Sequence, residues 1–132
     1  MKRIALLFGC LFLLASPAFA TSDFSKQWKS THMSGDDVDK DFVTAARKAS
    51  CYICHVKGQK KDKARNEYGK AIHKFLKAKD FTKEYIKANP EEAKKRMLEG
   101  FKKAGEMKSK DGDKFGEKIK ANKLPATDAN LK

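Results

Sequence analysis

Two cysteines two residues apart, with a histidine directly after the second, constrain this chain more than any other feature: Cys51-Tyr52-Ile53-Cys54-His55. Residues i and i+3 are neighbours on a helical turn, so both thiols reach the same side of the segment. His55, one step further, can aim its imidazole at a group held by those thiols. Two thiols and an imidazole in this array match the needs of a c-type haem, whose two vinyl groups each take a thiol and whose iron takes a nitrogen. The pattern predicts one covalently attached haem c, with Cys51 and Cys54 as thioether donors and His55 as the proximal iron ligand.

Other uses of paired cysteines meet this sequence less well. A structural zinc site takes four Cys or His ligands. His73 and His32 could join Cys51 and Cys54, but no second paired motif accompanies them. A thioredoxin-like redox pair sits beside a strand–helix unit, and no period-two alternation here predicts a strand. A disulfide between Cys51 and Cys54 would close almost no loop and stabilise little.

The N-terminus reads as an address. Lys2 and Arg3 precede an apolar run over residues 4–15, Ser16-Pro17 breaks it, and Ala18-Phe19-Ala20 gives the small-x-small pattern of a signal-peptidase site. The run is shorter than the ~20 residues of a membrane-spanning helix. Leu7-Phe8-Gly9-Cys10 loosely resembles a lipobox, but the apolar run continues past Cys10, so cleavage there would fall inside it. The expectation is a secretory signal over residues 1–20, cleavage after Ala20, and a periplasmic or otherwise exported product without stable membrane insertion. Removing those residues from the 132 leaves 112 as one domain, residues 21–132, with Cys51 and Cys54 as its only thiols. Removing Lys2 and Arg3 from the 30 basic side chains leaves 28 against 17 acidic ones, a formal charge of +11. Inside a cell that balance suggests nucleic acid. On an exported chain it points instead to an anionic surface or an acidic protein partner.

Beyond the motif the periodicity is helical throughout. One helix is expected over residues 38–50, capped by Asp36 and Asp37, with Phe42, Ala45, Ala46 and Ala49 on one side. Its end leads straight into Cys51. A basic loop follows over residues 56–64, then a second helix over residues 66–79 carrying Tyr68, Ile72, Phe75 and Leu76. Asp80-Phe81-Thr82 caps a short turn holding Tyr85 and Ile86. Asn89-Pro90-Glu91-Glu92 starts a third helix, with a capping Asn, Pro in the first turn and acids where the helix dipole favours them. It runs to about Glu106, with Ala93, Met97, Phe101 and Ala104 inward. Lys110-Asp111-Gly112 is a turn, Asp113 caps a last short helix with Phe115 and Ile119, and residues 126–132 form a frayed tail. The expected fold is all-α, a bundle of about four short helices. Its apolar stripes are narrow for a domain of this size, a shortage that a large apolar cofactor in the middle would relieve.

The motif, the helix before it, and the Arg65-Asn66-Glu67-Tyr68-Gly69-Lys70-Ala71 stretch resemble the small single-haem cytochromes c of planctomycete-type bacteria. So do the closing Phe115-Gly116-Glu117-Lys118-Ile119-Lys120 and Lys123-Leu124-Pro125. The resemblance covers most of residues 21–132. It implies a compact helical cytochrome c domain and a role in electron transfer. Some related cytochromes are dimeric and ligate the distal side with cysteine. With no third cysteine after residue 20, that ligation does not carry over, and a monomer or small dimer is expected.

The sixth iron position decides what such a protein does. Methionine or histidine there makes an electron carrier, whereas a vacant or displaceable site makes a gas-binding or sensory haem module. A haem subunit working inside a larger redox complex is a third reading. The ligands available are His32, Met33, His73, Met97 and Met107, with lysine as a rarer option. Met107 ranks first, because it lies in a loop before the last helix, much as the distal methionine does in ordinary class I cytochromes c; a partly buried loop methionine is its alternative. His73 follows, beside the stripe of Tyr68, Ile72 and Leu76; a bis-histidine iron would have a lower potential than one with Met. Met97 is next, with core filling as its alternative, and then Met33. Trp28, Arg65, Asn66 and Tyr68 could each reach a haem propionate or serve structure alone. The lysines of residues 57–63 would steer acidic redox partners if they surround an exposed haem edge. No carboxylate pair, nucleophile–base arrangement or phosphate-binding glycine loop argues for an enzyme.

Overall fold

Phe24, Trp28 and His32 recur at every fourth position, which lines three rings along one face of a helix. That helix, α1 (Ala18–His32), stands where the sequence predicted only a polar stretch. The computed structural model describes residues 18–61 and 63–131, with side chains from Ser22 onward. Residues 1–17 of the expected leader, Cys10 among them, lie outside the described residues.

The later helices follow the predicted order with shifted ends. α2 (Lys40–Ala49) begins two residues late, because Asp39 rather than Asp36 or Asp37 is the cap: its Oδ1 accepts from the Asp41 amide at 2.7 Å. A single 3-10 turn, Ser50–Ile53, follows it. α3 (Glu67–Phe75) is capped by Asn66 and stops well short of residue 79. Phe75 turns outward, 42% exposed, and a 3-10 turn at Ala78–Asp80 replaces the missing helical turn. α4 (Lys83–Ala88) is capped by the Thr82 hydroxyl, which accepts from the Tyr85 amide at 3.1 Å. α5 (Pro90–Gly105) carries Pro90, Glu91 and Glu92 in its first turn as expected. Asn89, however, gives it no side-chain cap; its Nδ2 donates back to the Tyr85 carbonyl at 3.2 Å and closes α4. α6 (Phe115–Lys120) follows Lys114, and no side chain caps it, Asp113 included.

Six α-helices and two 3-10 turns, with no strand among the described residues, make an all-α fold with more helices than the four expected. α5 is its axis, and α3, α1, α6 and α4 all pack on it. The inward stripe of α5 is the predicted one, with Ala93, Met97, Phe101 and Ala104 all buried. Gly100 lets α3 approach, since a Cβ there would overlap the Leu76 side chain. Trp28, Phe42, Ile53, Tyr68, Phe81, Phe115 and Ile119 complete a single core. Burying a large apolar side chain contributes roughly 1.5–3 kcal/mol, and that packing holds helices too short to persist alone.

Residues 127–129 of the expected frayed tail are pinned. Ala129 is buried, and its carbonyl accepts from the Lys57 amide at 2.9 Å. Asp128 Oδ1 accepts from the Glu67 amide at 2.9 Å. The Thr127 amide and hydroxyl both donate to Glu67 Oε1, at 2.7 and 2.8 Å. Hydrogen bonds rather than apolar content fix this segment, which is why its composition suggested looseness. No helix among the described residues is long and apolar enough to cross a membrane.

Candidate functional site

α2 delivers the cysteine motif. Its chain turns at Ser50, where the backbone takes φ 49° and ψ −116°. A non-glycine residue held there stores of order 1–3 kcal/mol of strain, and it sits directly ahead of Cys51. The Cys54 and His55 amides then both donate to the Cys51 carbonyl, at 3.3 and 3.1 Å, coiling the five residues into one tight loop. Both cysteines are free thiols. Cys51 is exposed and Cys54 half-buried. Burial, and then the neighbouring Cys51, pushes the Cys54 thiol up to about 12, so it is neutral at ordinary pH.

His55 is half-buried, and its Nδ1 faces the Ala64 carbonyl at 3.3 Å. A carbonyl only accepts, so the ring proton belongs on Nδ1 and the lone pair on Nε2. Burial lowers the His55 pKa, opposed by the Ala64 carbonyl and reinforced by the charges of Arg65 and Lys61. The result is an imidazole whose neutral form is favoured by burial and whose Nδ1 is oriented by a backbone acceptor, the arrangement a metal-binding histidine needs. Around it, Val56 N donates to Ala64 O at 3.1 Å and Asn66 N to Cys54 O at 3.0 Å, closing the basic loop between them.

Asn66 is the fastener that sequence reasoning missed. It is wholly buried, and its Nδ2 donates to the carbonyls of Tyr52 and Ile53 at 3.0 and 2.9 Å, with a longer 3.3 Å contact to that of His55. Its Oδ1 accepts from the Gly69 amide at 2.9 Å, capping α3. One side chain thus binds the motif to the start of α3, and a propionate role for it is displaced by these bonds. Gly69, one turn on, has Cα against the Cys54 carbonyl, and any Cβ would overlap that oxygen. A glycine inside a helix costs about 1 kcal/mol against alanine; that cost was the available signal of close packing here.

Below the motif, the Trp28 indole donates to the Tyr68 hydroxyl at 2.9 Å, and the Tyr68 ring lies 5.2 Å from that of Phe115. Trp28 and Tyr68 are therefore committed to each other inside the core. Arg65 is half-buried, and its charge acts on Cys54, His55 and His73 alike.

The candidates for the distal iron position are dispersed. Met107 is half-buried and lines a surface groove with Ala71 and Phe115. Met97 is buried in the core, beside a cavity between α1 and α5. Met33 packs half-buried against the core. The His32 ring lies tilted between those of Trp28 and Phe101, at 5.0 and 6.3 Å between ring centroids, and its Nε2 is buried without a hydrogen-bond partner. His73 shares the face of α3 with Gly69, one turn beyond the contact with Cys54. Among the described residues no group of three or more His, Cys, Asp or Glu side chains is placed to hold a metal ion. No known protein family, curated protein or solved structure matches the chain.

Proposed function

We propose that the chain is an exported c-type cytochrome that carries single electrons through one covalently attached haem. The observation that carries this reading is the pairing, in one tight loop, of two free thiols with a histidine whose Nδ1 is tied to a backbone carbonyl. Cys51 and Cys54 would hold haem as thioethers, and His55 would bind its iron through Nε2. When bound, haem supplies a reversible one-electron couple. The chain's own part is to orient the imidazole through Ala64 and to fix the loop through Asn66. Lys57, Lys60, Lys61 and Lys63 are all exposed beside it, and their charge would speed encounter with acidic redox partners in a salt-dependent way. The signal-like N-terminus supports a periplasmic or otherwise exported location, and with it a protein partner rather than nucleic acid.

A second reading, a gas-binding or sensory module with an open distal side, is favoured by the dispersal of Met33, Met97 and Met107 over separate parts of the fold. Absorption spectra of the ferric and ferrous protein decide between them. A low-spin, six-coordinate spectrum with a reversible one-electron wave supports the carrier. A high-spin spectrum that shifts readily with carbon monoxide would replace it with the gas binder. Sizing of the protein alone and with acidic partners separates both from a subunit of a larger redox complex.

A further inference from the structure

We infer that the groove between α3 and residues 107–115 is a docking site for a linear acidic segment of a partner protein, anchored by one apolar side chain. The groove has a volume of about 380 Å³ and an apolar floor of Ala71, Met107 and Phe115. Methionine on such a floor adapts readily to different apolar guests. Two of the charged groups at the rim are already committed. Glu67 Oε2 accepts from the Lys110 amide at 2.6 Å while its Oε1 holds Thr127, and the Lys110 ammonium pairs with Asp128 at 2.9 Å.

What is left over sets the chemistry of the occupant. Lys70, Lys74 and Lys108 also line the groove, are exposed, and make no ion pair or hydrogen bond through their ammonium groups among the described residues. Lys70 and Lys74 stand one helical turn apart on one wall, their Cβ atoms about 6 Å from each other, and Lys108 belongs to the facing wall. Glu67 keeps its charge, since its hydrogen bonds come from neutral donors. Three ammonium groups against that one carboxylate still leave a local positive potential over the apolar floor. A single carboxylate can answer only one of them. A segment with acidic residues on both sides of an apolar one can answer all three and fill the floor as well.

The position of the groove leaves the motif accessible. At about 100° per residue, Glu67, Lys70, Ala71 and Lys74 lie roughly 130° around α3 from Gly69 and His73, which share the face that touches Cys54. A partner held here would leave the cysteine motif free for a second encounter. The inference rests on Met107 lining the groove floor, as it does in this structure, and iron ligation by Met107 would overturn it.

The test uses the purified full-length product with its methionine methyl groups labelled for NMR. The probe is a capped pentapeptide with phenylalanine at its centre and two aspartates on each side. The expected result is a saturable shift of the Met107 methyl signal, weakened about tenfold in a Lys70→Gln/Lys74→Gln/Lys108→Gln variant. Replacing the peptide's aspartates by asparagine should abolish the shift, and replacing its phenylalanine by glycine should weaken it. All three lysines are exposed, so circular dichroism of the variant should match the parent. Undiminished binding by the triple variant, or an unmoved Met107, would overturn the inference. Decanoate binding as tightly as the peptide would overturn it in favour of a small amphipathic anion. A Met107 shift driven by protein concentration alone and removed by Asp36→Asn/Asp37→Asn would overturn it in favour of a second copy of this chain.

Discussion

Asn66→Ala is the substitution that the motif should feel most sharply. The two Nδ2 protons serve the Ile53 and Tyr52 carbonyls at 2.9 and 3.0 Å, and the 3.3 Å contact to His55 shares one of them. Losing the cap on the Gly69 amide costs about 1 kcal/mol. Losing the two shorter bonds leaves buried carbonyls without a donor, at roughly 1 kcal/mol or more each. The total, about 3–4 kcal/mol, is a large share of the ~5–15 kcal/mol that holds a small domain together. Asn66→Asp separates the two roles. It keeps the cap and places a charge that the helix dipole favours, but it turns a carboxylate toward three carbonyl oxygens. At pH 7 it should therefore be no more stable than Asn66→Ala, and it should recover in acid as the carboxyl gains a proton to donate. Urea unfolding followed by far-ultraviolet circular dichroism gives both numbers. A loss under about 1 kcal/mol for Asn66→Ala, or parental stability for Asn66→Asp at pH 7, would refute the clamp.

Three further outcomes follow from the packing. Gly69→Ala sets a methyl group against the Cys54 carbonyl, and because backbone cannot yield as a side chain does, it should cost at least the ~1–3 kcal/mol of ordinary overpacking, measured by the same unfolding curves. Tyr68→Phe leaves the buried Trp28 indole without its acceptor and should cost about 1–3 kcal/mol, with a change in tryptophan fluorescence as the local readout. His32 is held by burial at about 4 against an ordinary 6.5. The unfolded chain therefore takes up a proton first as pH falls, and the His32 contribution to stability should drop by about 3 kcal/mol from pH 6.5 down to 4 and then level off, below which the depressed Asp111 carboxyl continues the loss. His32→Gln should flatten the upper part of that slope, and a parent whose stability is constant between pH 7 and 5 would contradict this assignment.

The motif was legible in the residues. The proposed haem attachment needs Cys51, Cys54 and His55 to be those types at that spacing, and what the structure shows is that the three share one tight loop. The stripes of α2, α3 and α5 were legible too, because a 3.6-residue period records which face is buried. What tertiary packing decides was not. Three aspartates stand near the start of α2, and only the fold selects Asp39 as the cap. α1 escaped notice because its three rings are spaced among polar residues and only meet apolar partners, Phe81 and Phe101, from distant segments. Asn66 read as an ordinary helix start because its three clamp bonds run to carbonyls more than ten residues back in the chain. The tail read as frayed because polar bonds to Glu67 and Lys57, and not an apolar pattern, hold it.

The central claim is covalent haem at Cys51 and Cys54, and the most direct measurement is haem-dependent colour on a denaturing gel of the protein made in a host with haem-attachment machinery. Pigment should migrate with the polypeptide and be lost completely in Cys51→Ala/Cys54→Ala. A colourless parent, or pigment that survives the double substitution, would contradict it.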